Sequence, residues 1–395
     1  MEPDIAQRLA AVSASPTLAI SALAKDLKAQ GRDVLDLSAG EPDFITPAHI
    51  RAAGIAALER GDTHYTATDG TPALKSAIAA KFSRENRLEF TAEEIIATAG
   101  VKQALFNLCL ALLDPGDEVL IPAPYWVSYP TMAQLAGAEP RILAGDPASG
   151  FKLAPATLAA ALTPRTRLLF LNSPCNPSGA SYSRRELDGL AEVLRTRPDV
   201  LVATDDIYEH LIYGDEEFAN ILMAAPDLRD RCVVVNGVSK SYAMTGWRIG
   251  YAAGPVWLIK AMKKLQSHST SNPAAVSQAA AAAALAGPQD CVREMKEAFR
   301  ARRDRFVAGL NRIRGLRCAL PDGAFYAFAD CREAMAAREI GSDGDFAAFL
   351  LREAGIAAVP GGAFGGPGHL RFSYACDQST LDAALERLDS TLGES

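Results

Sequence analysis

Between Glu94 and Gly254, short apolar runs rich in valine, isoleucine and leucine alternate with stretches whose apolar residues recur at helical spacing. Strands read as unbroken apolar runs when both faces of a mostly parallel sheet are covered by helices. The runs predict strands at Ile95 to Thr98, Glu118 to Ile121, Arg141 to Leu143, Arg167 to Leu171, Leu201 to Thr204, Cys232 to Asn236 and Arg248 to Ala253. One strand should run backwards. The link from Asn236 to Trp247 is shorter than the roughly dozen residues of a parallel crossover, so the last two strands are expected to be antiparallel.

Helix signals flank this region. Thr46-Pro47 reads as a cap followed by proline at the first helical position, with Gly61 closing that helix. An amphipathic helix is predicted from Thr17 to Ala29, and a long charged helix after Gly287-Pro288 to about Arg314. An α+β tail follows, with strands at Phe325 to Ala329 and Leu370 to Tyr374. The expected organisation is a large α/β domain over 43–286 and a smaller α+β domain built from 1–42 and 287–395, the long helix connecting them. The glycine-rich loop Pro360 to Gly368 is either a turn cluster or part of a substrate entrance.

Composition narrows the function. Of 395 residues, 49% are hydrophobic and 22% charged, which is globular, and a net charge of −7 argues against a nucleic-acid partner. The basic stretch Arg300 to Arg317 alternates with apolar residues as a solvated helix face does. Seven cysteines without a Cys-x-x-Cys pair fit a reducing compartment, and five scattered histidines give no metal-binding spacing. His64 is expected to be structural. No basic segment with an apolar core follows Glu2 and Asp4, and the bland run Ala279 to Ala286 is far short of a membrane span. A cytoplasmic protein with no membrane partner is expected.

Three predicted strands end in chemistry. Asn172-Ser173-Pro174-Cys175-Asn176-Pro177-Ser178-Gly179 follows Leu168 to Leu171; Asp205-Asp206-Ile207-Tyr208 follows Leu201-Val202-Ala203; and Asn236-Gly237-Val238-Ser239-Lys240 follows Val233 to Val235. Ligands of parallel α/β sheets lie outside the carboxyl ends of the strands, so one cleft can hold Asn176, Asp205 and Lys240. A lysine is by default a solvated cation. Lys240, with hydroxyls beside it and Arg248 further on, instead suits an amine that forms a Schiff base near a phosphate, which points to pyridoxal phosphate. Asp205, otherwise a helix cap, can keep the pyridine nitrogen protonated. Tyr208, expected one helical turn later, can join Asn176 at the ring's 3-oxygen. Arg248 and Ser239 suit the phosphate, as does the helix start at Gly100, Val101 and Lys102.

On these motifs the chain resembles the class I aminotransferases of pyridoxal phosphate fold type I, in the aspartate aminotransferase superfamily and nearest its subgroup Ib. The resemblance runs from Ser38-Ala39-Gly40-Glu41-Pro42-Asp43-Phe44 to Leu370-Arg371-Phe372-Ser373-Tyr374, with serine at 178 where the family usually has threonine. It implies a ping-pong transfer of an amino group between amino acids and 2-oxo acids, with Lys240 bonded to the cofactor and shuttling the proton. It also implies that Arg371 clamps the substrate α-carboxylate with Asn176, and that Gly40 approaches the substrate. Trp126 and Ile207 would cover the two faces of the ring. Tyr65 would reach the phosphate of the neighbouring subunit, which makes the protein a homodimer with shared sites.

The resemblance also bears on substrate range. Gln266 to Pro273 offers no arginine for a distal carboxylate, and Lys102 matches the lysine that subgroup Ib uses for acidic side chains. Aspartate and glutamate are the implied donors, with 2-oxoglutarate or oxaloacetate as acceptors. Thr17, in Ser15-Pro16-Thr17-Leu18, matches a position of members that aminate prephenate. The rivals are an aromatic or neutral amino acid aminotransferase, a fold type I lyase, and a transcription regulator, the last disfavoured by acidic charge.

Overall fold

In the computed structural model, which describes residues 5–9, 12, 16–214 and 216–393, the central feature is a seven-stranded sheet. In chain order its strands are β1 (Ile95–Thr98), β2 (Glu118–Pro122), β3 (Glu139–Leu143), β4 (Thr166–Asn172), β5 (Leu201–Asp205), β6 (Cys232–Gly237) and β7 (Gly250–Ala253). They lie in the order β1-β7-β6-β5-β4-β2-β3. Only β7 runs against the rest, pairing antiparallel with both β1 and β6 as the short link predicted. β7 begins at Gly250 rather than Arg248, because Arg248 sits in the left-handed region (φ 56°), outside the extended conformation of a strand.

Every residue of β1, β5, β6 and β7 is buried. One apolar cluster covers a face of the sheet with Ile95, Leu120, Leu169, Val202 and Val234; another covers the opposite face with Ile96, Ile121, Phe170, Ala203 and Val235. The alternation along each strand distributes its side chains to the two layers. On the first face the alanine-rich helix Ala275–Ala286 packs against the helices Ala48–Glu59 and Pro72–Lys81, small side chains allowing close approach. Thr46 does not cap the helix that follows it. Its hydroxyl instead donates to the Ala243 carbonyl at 2.6 Å, a tertiary bond that outcompetes the local one.

Beyond the sheet, the 21-residue helix Asp290–Leu310 leads into β8 (Arg317–Cys318), β9 (Tyr326–Asp330), β10 (Val359–Pro360) and β11 (His369–Ser373). These form an antiparallel sheet in the order β10-β11-β9-β8. The helix Pro16–Ala29 buries Ala24 with Val34, Leu351 and Ala357. Leu35–Asp36 pairs parallel with Ile356–Ala357. Among the described residues, no helix is long and apolar enough to cross a membrane.

Candidate active site

Register brings the three strand ends level. Asn172 of β4 lies opposite Asp205 of β5, and Asp205 opposite Val235 of β6, so the loops that follow leave the same edge of the sheet. Asn172 splices two of them: its Nδ2 donates to the Asp205 carbonyl at 2.8 Å, and its Oδ1 accepts from the Asn176 N–H at 2.9 Å. No helix follows Asp205. Residues 207–210 form a run of tight turns, with Glu209 N–H donating to the Asp206 carbonyl at 2.9 Å, and Tyr208 reaches the site from a turn rather than a helix face.

The two adjacent aspartates face different surroundings. Asp206 accepts from Thr204 and Asn220, each at 2.6 Å. Asp205 accepts from the Tyr129 hydroxyl at 2.6 Å, and Tyr129 stacks on Phe170 with centroids 4.6 Å apart. Burial raises the Asp205 carboxyl to about 6, opposed by the Tyr129 hydroxyl, the Ile207 N–H and the Lys240 charge. It is thus poised to ionise beside a cation.

Lys240 donates to the Gly40 carbonyl. Burial lowers its amine to about 8, with Glu41 acting against the shift and the Arg371 and Arg248 cations adding to it. A lowered amine pKa makes its neutral form easier to reach near neutrality, which suits both nucleophile and proton carrier. Ser239 is buried next to it. Tyr208 and Tyr326, both buried, join hydroxyls at 2.9 Å. Ile207 packs in the same apolar cluster as Tyr208 and Phe325.

Arg371, on β11, is 2% exposed. Its Nη1 donates to Asn176 Oδ1 at 3.0 Å and its Nη2 to the Ser38 carbonyl at 2.7 Å, while the buried Nε has no partner. The guanidinium lies between aromatic faces, 4.4 Å from the Tyr326 centroid and 4.9 Å from that of Phe364 in the glycine-rich loop. That loop therefore adjoins the site.

The helix Val101–Leu112 starts at Gly100, whose φ of 85° suits glycine. A side chain there would collide with the Arg248 guanidinium, and one at Gly250 would collide with the Val101 backbone. Small residues thus let the helix start, with its unpaired amides and positive dipole end, settle on β7 beside Arg248. Lys102 Nζ lies 5.0 Å from the Trp126 ring, and its pKa is lowered by partial burial and by Arg248. Lys102 and Arg248 open on a cleft of about 750 Å³ walled in part by Tyr125, Phe106 and Thr270.

Among the described residues, no carboxylate lies within ion-pair distance of Lys102, Lys240, Arg248 or Arg371. Four cations gathered without an ion-paired carboxylate, with Glu41 and Asp205 acting on Lys240 from further off, suit anionic ligands. Arg248 with the Gly100 helix start fits a phosphate, and the unpartnered Arg371 Nε fits a carboxylate.

The structure thus gathers Gly40, Gly100, Val101, Lys102, Trp126, Asn176, Asp205, Ile207, Tyr208, Ser239, Lys240, Arg248 and Arg371 around one edge of the sheet. Tyr65 stands apart, 92% exposed. Thr17 falls in the first helix, and its side chain lies outside the described residues. Tyr129, Asn172, Ser38 and Tyr326 were not among the residues expected at the site. Asn172 and Ser38 stand within motifs quoted above; Tyr129 reads only as an aromatic shortly after Trp126, and Tyr326 had no signal beyond a strand's apolar pattern.

Comparison with known proteins agrees with this geometry. A family model described as aminotransferase class I and II matches residues 32–388. The chain is 51% identical over 394 residues to an aspartate/prephenate aminotransferase of Nitrosomonas europaea, covering 98% of this chain and 99% of that one. It is 50% identical over 390 residues to an aspartate aminotransferase of Rhizobium meliloti, covering 98% and 95%. The crystal structure of a Rhizobium meliloti aspartate aminotransferase superposes with a TM-score of 0.96 at 48% identity, covering 99% of each chain. A Thermus thermophilus aspartate aminotransferase solved with maleate gives 0.92 at 43%, covering 98% and 100%.

Proposed function

The chain belongs to the class I and II aminotransferase family and is an aminotransferase, and from that premise we propose that it uses pyridoxal phosphate to move amino groups between acidic amino acids and 2-oxo acids. The observation that carries the reading is the group of three further cations, Lys102, Arg248 and Arg371, none of them in an ion pair among the described residues, beside Lys240 and Asp205: Arg248 with the Gly100 helix start suits a phosphate and Arg371 a carboxylate. When bound, pyridoxal phosphate supplies an aldehyde that takes up nitrogen and a protonated ring that accepts electrons from the α-carbon. Gly100, Val101, Ser239 and Arg248 would hold its phosphate. Asp205 would pair with the ring nitrogen, Asn176 and Tyr208 would hydrogen-bond its 3-oxygen, and Trp126 and Ile207 would cover its faces.

The chain's own groups then divide the work. Arg371 and Asn176 bind the substrate α-carboxylate and orient the α-carbon, beside which Gly40 leaves room. Lys240 would carry the proton on Nζ between the substrate α-carbon and the cofactor's C4′ carbon, on the far side of the transferred nitrogen. Burial lowers its proton affinity enough for both directions. Asp205, raised by burial to about 6, is ionised at neutral pH and would keep the ring nitrogen protonated. These are differential effects, largest when charge develops at the α-carbon.

For substrate range, Lys102, beside Trp126 and Arg248, would be the cation for a distal carboxylate. Aspartate and glutamate are the favoured donors and 2-oxoglutarate or oxaloacetate the acceptors, with prephenate as a further acceptor through Thr17. The relatives named for aspartate and prephenate, and the neighbour solved with maleate, a dicarboxylate, support this. An assembly of two chains with Tyr65 serving the opposite site accords with its exposure and with exposed Ile45, Ile55 and Leu58 nearby in sequence. A large domain over 43–286, a small one from 1–42 and 287–395, and a cytoplasmic location complete the reading; the free cysteines support the last. The test is Lys240→Ala. It should fold, lose the visible absorption of the bound cofactor and lose nearly all turnover, whereas an active variant with an unchanged spectrum would reject the cofactor assignment.

A further inference from the structure

Behind the site lies a buried polar network that the reaction above does not use. Lys81 is fully buried at the end of the helix Pro72–Lys81; its Nζ pairs with Glu209 and donates to Asn86 Oδ1 at 2.7 Å. Glu209 accepts further bonds from Asn86 at 2.9 Å and from Asn236 at 2.7 Å, the latter at the end of β6. Beside it His210 bridges two groups: Nε2 meets Glu85 Oε2 and Nδ1 meets Ser241 Oγ, both at 2.9 Å. Burial opposes ionisation of Glu85, yet the bond and charge of His210, the nearby Lys81 and Arg84 hold its carboxyl below the usual range. A carboxylate only accepts, so Nε2 carries the hydrogen, leaving Nδ1 of a neutral ring to accept from the Ser241 hydroxyl.

The placement matters because of what each end carries. His210 follows the turn that presents Asp205 and Tyr208, and Ser241, 1% exposed, follows Lys240 directly. The two loops leave neighbouring parallel strands, β5 and β6, whose ladder ends at Asp205 and Val235. One further backbone bond, from the Asp206 N–H to the Val235 carbonyl at 2.9 Å, closes the ladder, and past it the spacing of the two turns is left to side chains. The His210–Ser241 bond and the Glu209–Asn236 bond are side-chain ties across the gap.

We propose that His210, held by Glu85 and tied to Ser241, is a positioning residue for the amino transfer: it sets the Lys240 turn against the Asp205–Tyr208 turn. It touches neither substrate nor cofactor and acts through Ser241. Removing the tie lets the Lys240 turn sample other placements, which costs the proton transfers more than it costs substrate binding through Arg371.

The inference rests on the pyridoxal phosphate reading, and the experiment separates the two. The loaded wild-type protein and the variants His210→Ala, His210→Asn and Ser241→Ala are compared by visible circular dichroism of the cofactor band, which reports its orientation, and by steady-state kinetics with aspartate. His210→Ala and Ser241→Ala should each change the dichroic band and lower kcat by about fivefold, with KM altered less than about twofold. The double variant should be no worse than either single one, since both break one bond. Asparagine at 210, whose amide can stand near the place of Nδ1, should restore most of kcat although it abandons Glu85. A dichroic band and kcat unchanged in Ser241→Ala would overturn the proposal even if His210→Ala fails to fold, as would additive losses in the double variant. A wild-type protein without any visible band would instead overturn the cofactor reading.

Discussion

Tyr129→Phe removes one hydroxyl and leaves the ring stacked on Phe170 at 4.6 Å, so the fold should survive while Asp205 loses its 2.6 Å donor. The consequence can be worked from the carboxyl's surroundings. Burial raises Asp205 to about 6, and the Tyr129 bond is the first of the effects that pull it back. A hydrogen bond to a charged group is worth about 1.5–3 kcal/mol, so losing it should raise the carboxyl by about 1–2 pH units. A positive ring nitrogen lowers the absolute value in the loaded enzyme, so the difference between variant and wild type is the quantity to test. Asp205 must be ionised to work, and a raised pKa extends its protonated form to higher pH. The acid limb of kcat/KM should therefore move upward by about 1–2 units, with the two profiles converging at alkaline pH. Single-turnover reaction with aspartate, followed from about pH 5 to about pH 9, reads this directly. Superimposable profiles, or a loss equal at every pH, would refute the assignment of Tyr129 as the group that tunes Asp205.

Three further outcomes are expected. Lys102→Gln should lower activity with aspartate, glutamate and prephenate by about tenfold (~1.4 kcal/mol) while sparing an uncharged aromatic donor; equal losses would move Lys102 out of side-chain recognition. Arg371→Lys keeps charge but loses the fork that meets Asn176 and Ser38, so KM for every amino donor should rise by about tenfold or more in steady-state assays. Mixing Tyr65→Phe with Lys240→Ala subunits should regenerate some native sites and activity above both parents; no gain would mean that each site is built from one chain.

Much of this architecture was legible because burial on both faces writes the central strands as unbroken apolar runs, and because Asn176, Asp205 and Lys240 each follow such a run. The antiparallel strand followed from a length constraint alone. Other features depend on tertiary contacts that local pattern does not carry. Tyr129 meets Asp205 across 76 residues, and in sequence it is one more aromatic at the start of a helix. Lys81 reads as a surface cation in an alanine-rich helix, yet it is fully buried because Glu209 arrives from another element. Thr46 resembles a cap until Ala243 takes its hydroxyl. Arg248 looked like the first residue of a strand because its φ is set by the turn that aims it at Gly100, not by its neighbours in the apolar run.

The central claim is that Lys240, Asp205 and Arg371 form a site that takes nitrogen from an amino acid and keeps it. It is tested most directly by the half-reaction: the protein loaded with pyridoxal phosphate is mixed with aspartate and no 2-oxo acid. The account predicts loss of the visible aldehyde absorption with release of one oxaloacetate per site, reversal on adding 2-oxoglutarate, and no such change in Lys240→Ala. Release of ammonia, or turnover that continues without any 2-oxo acid acceptor, would contradict it.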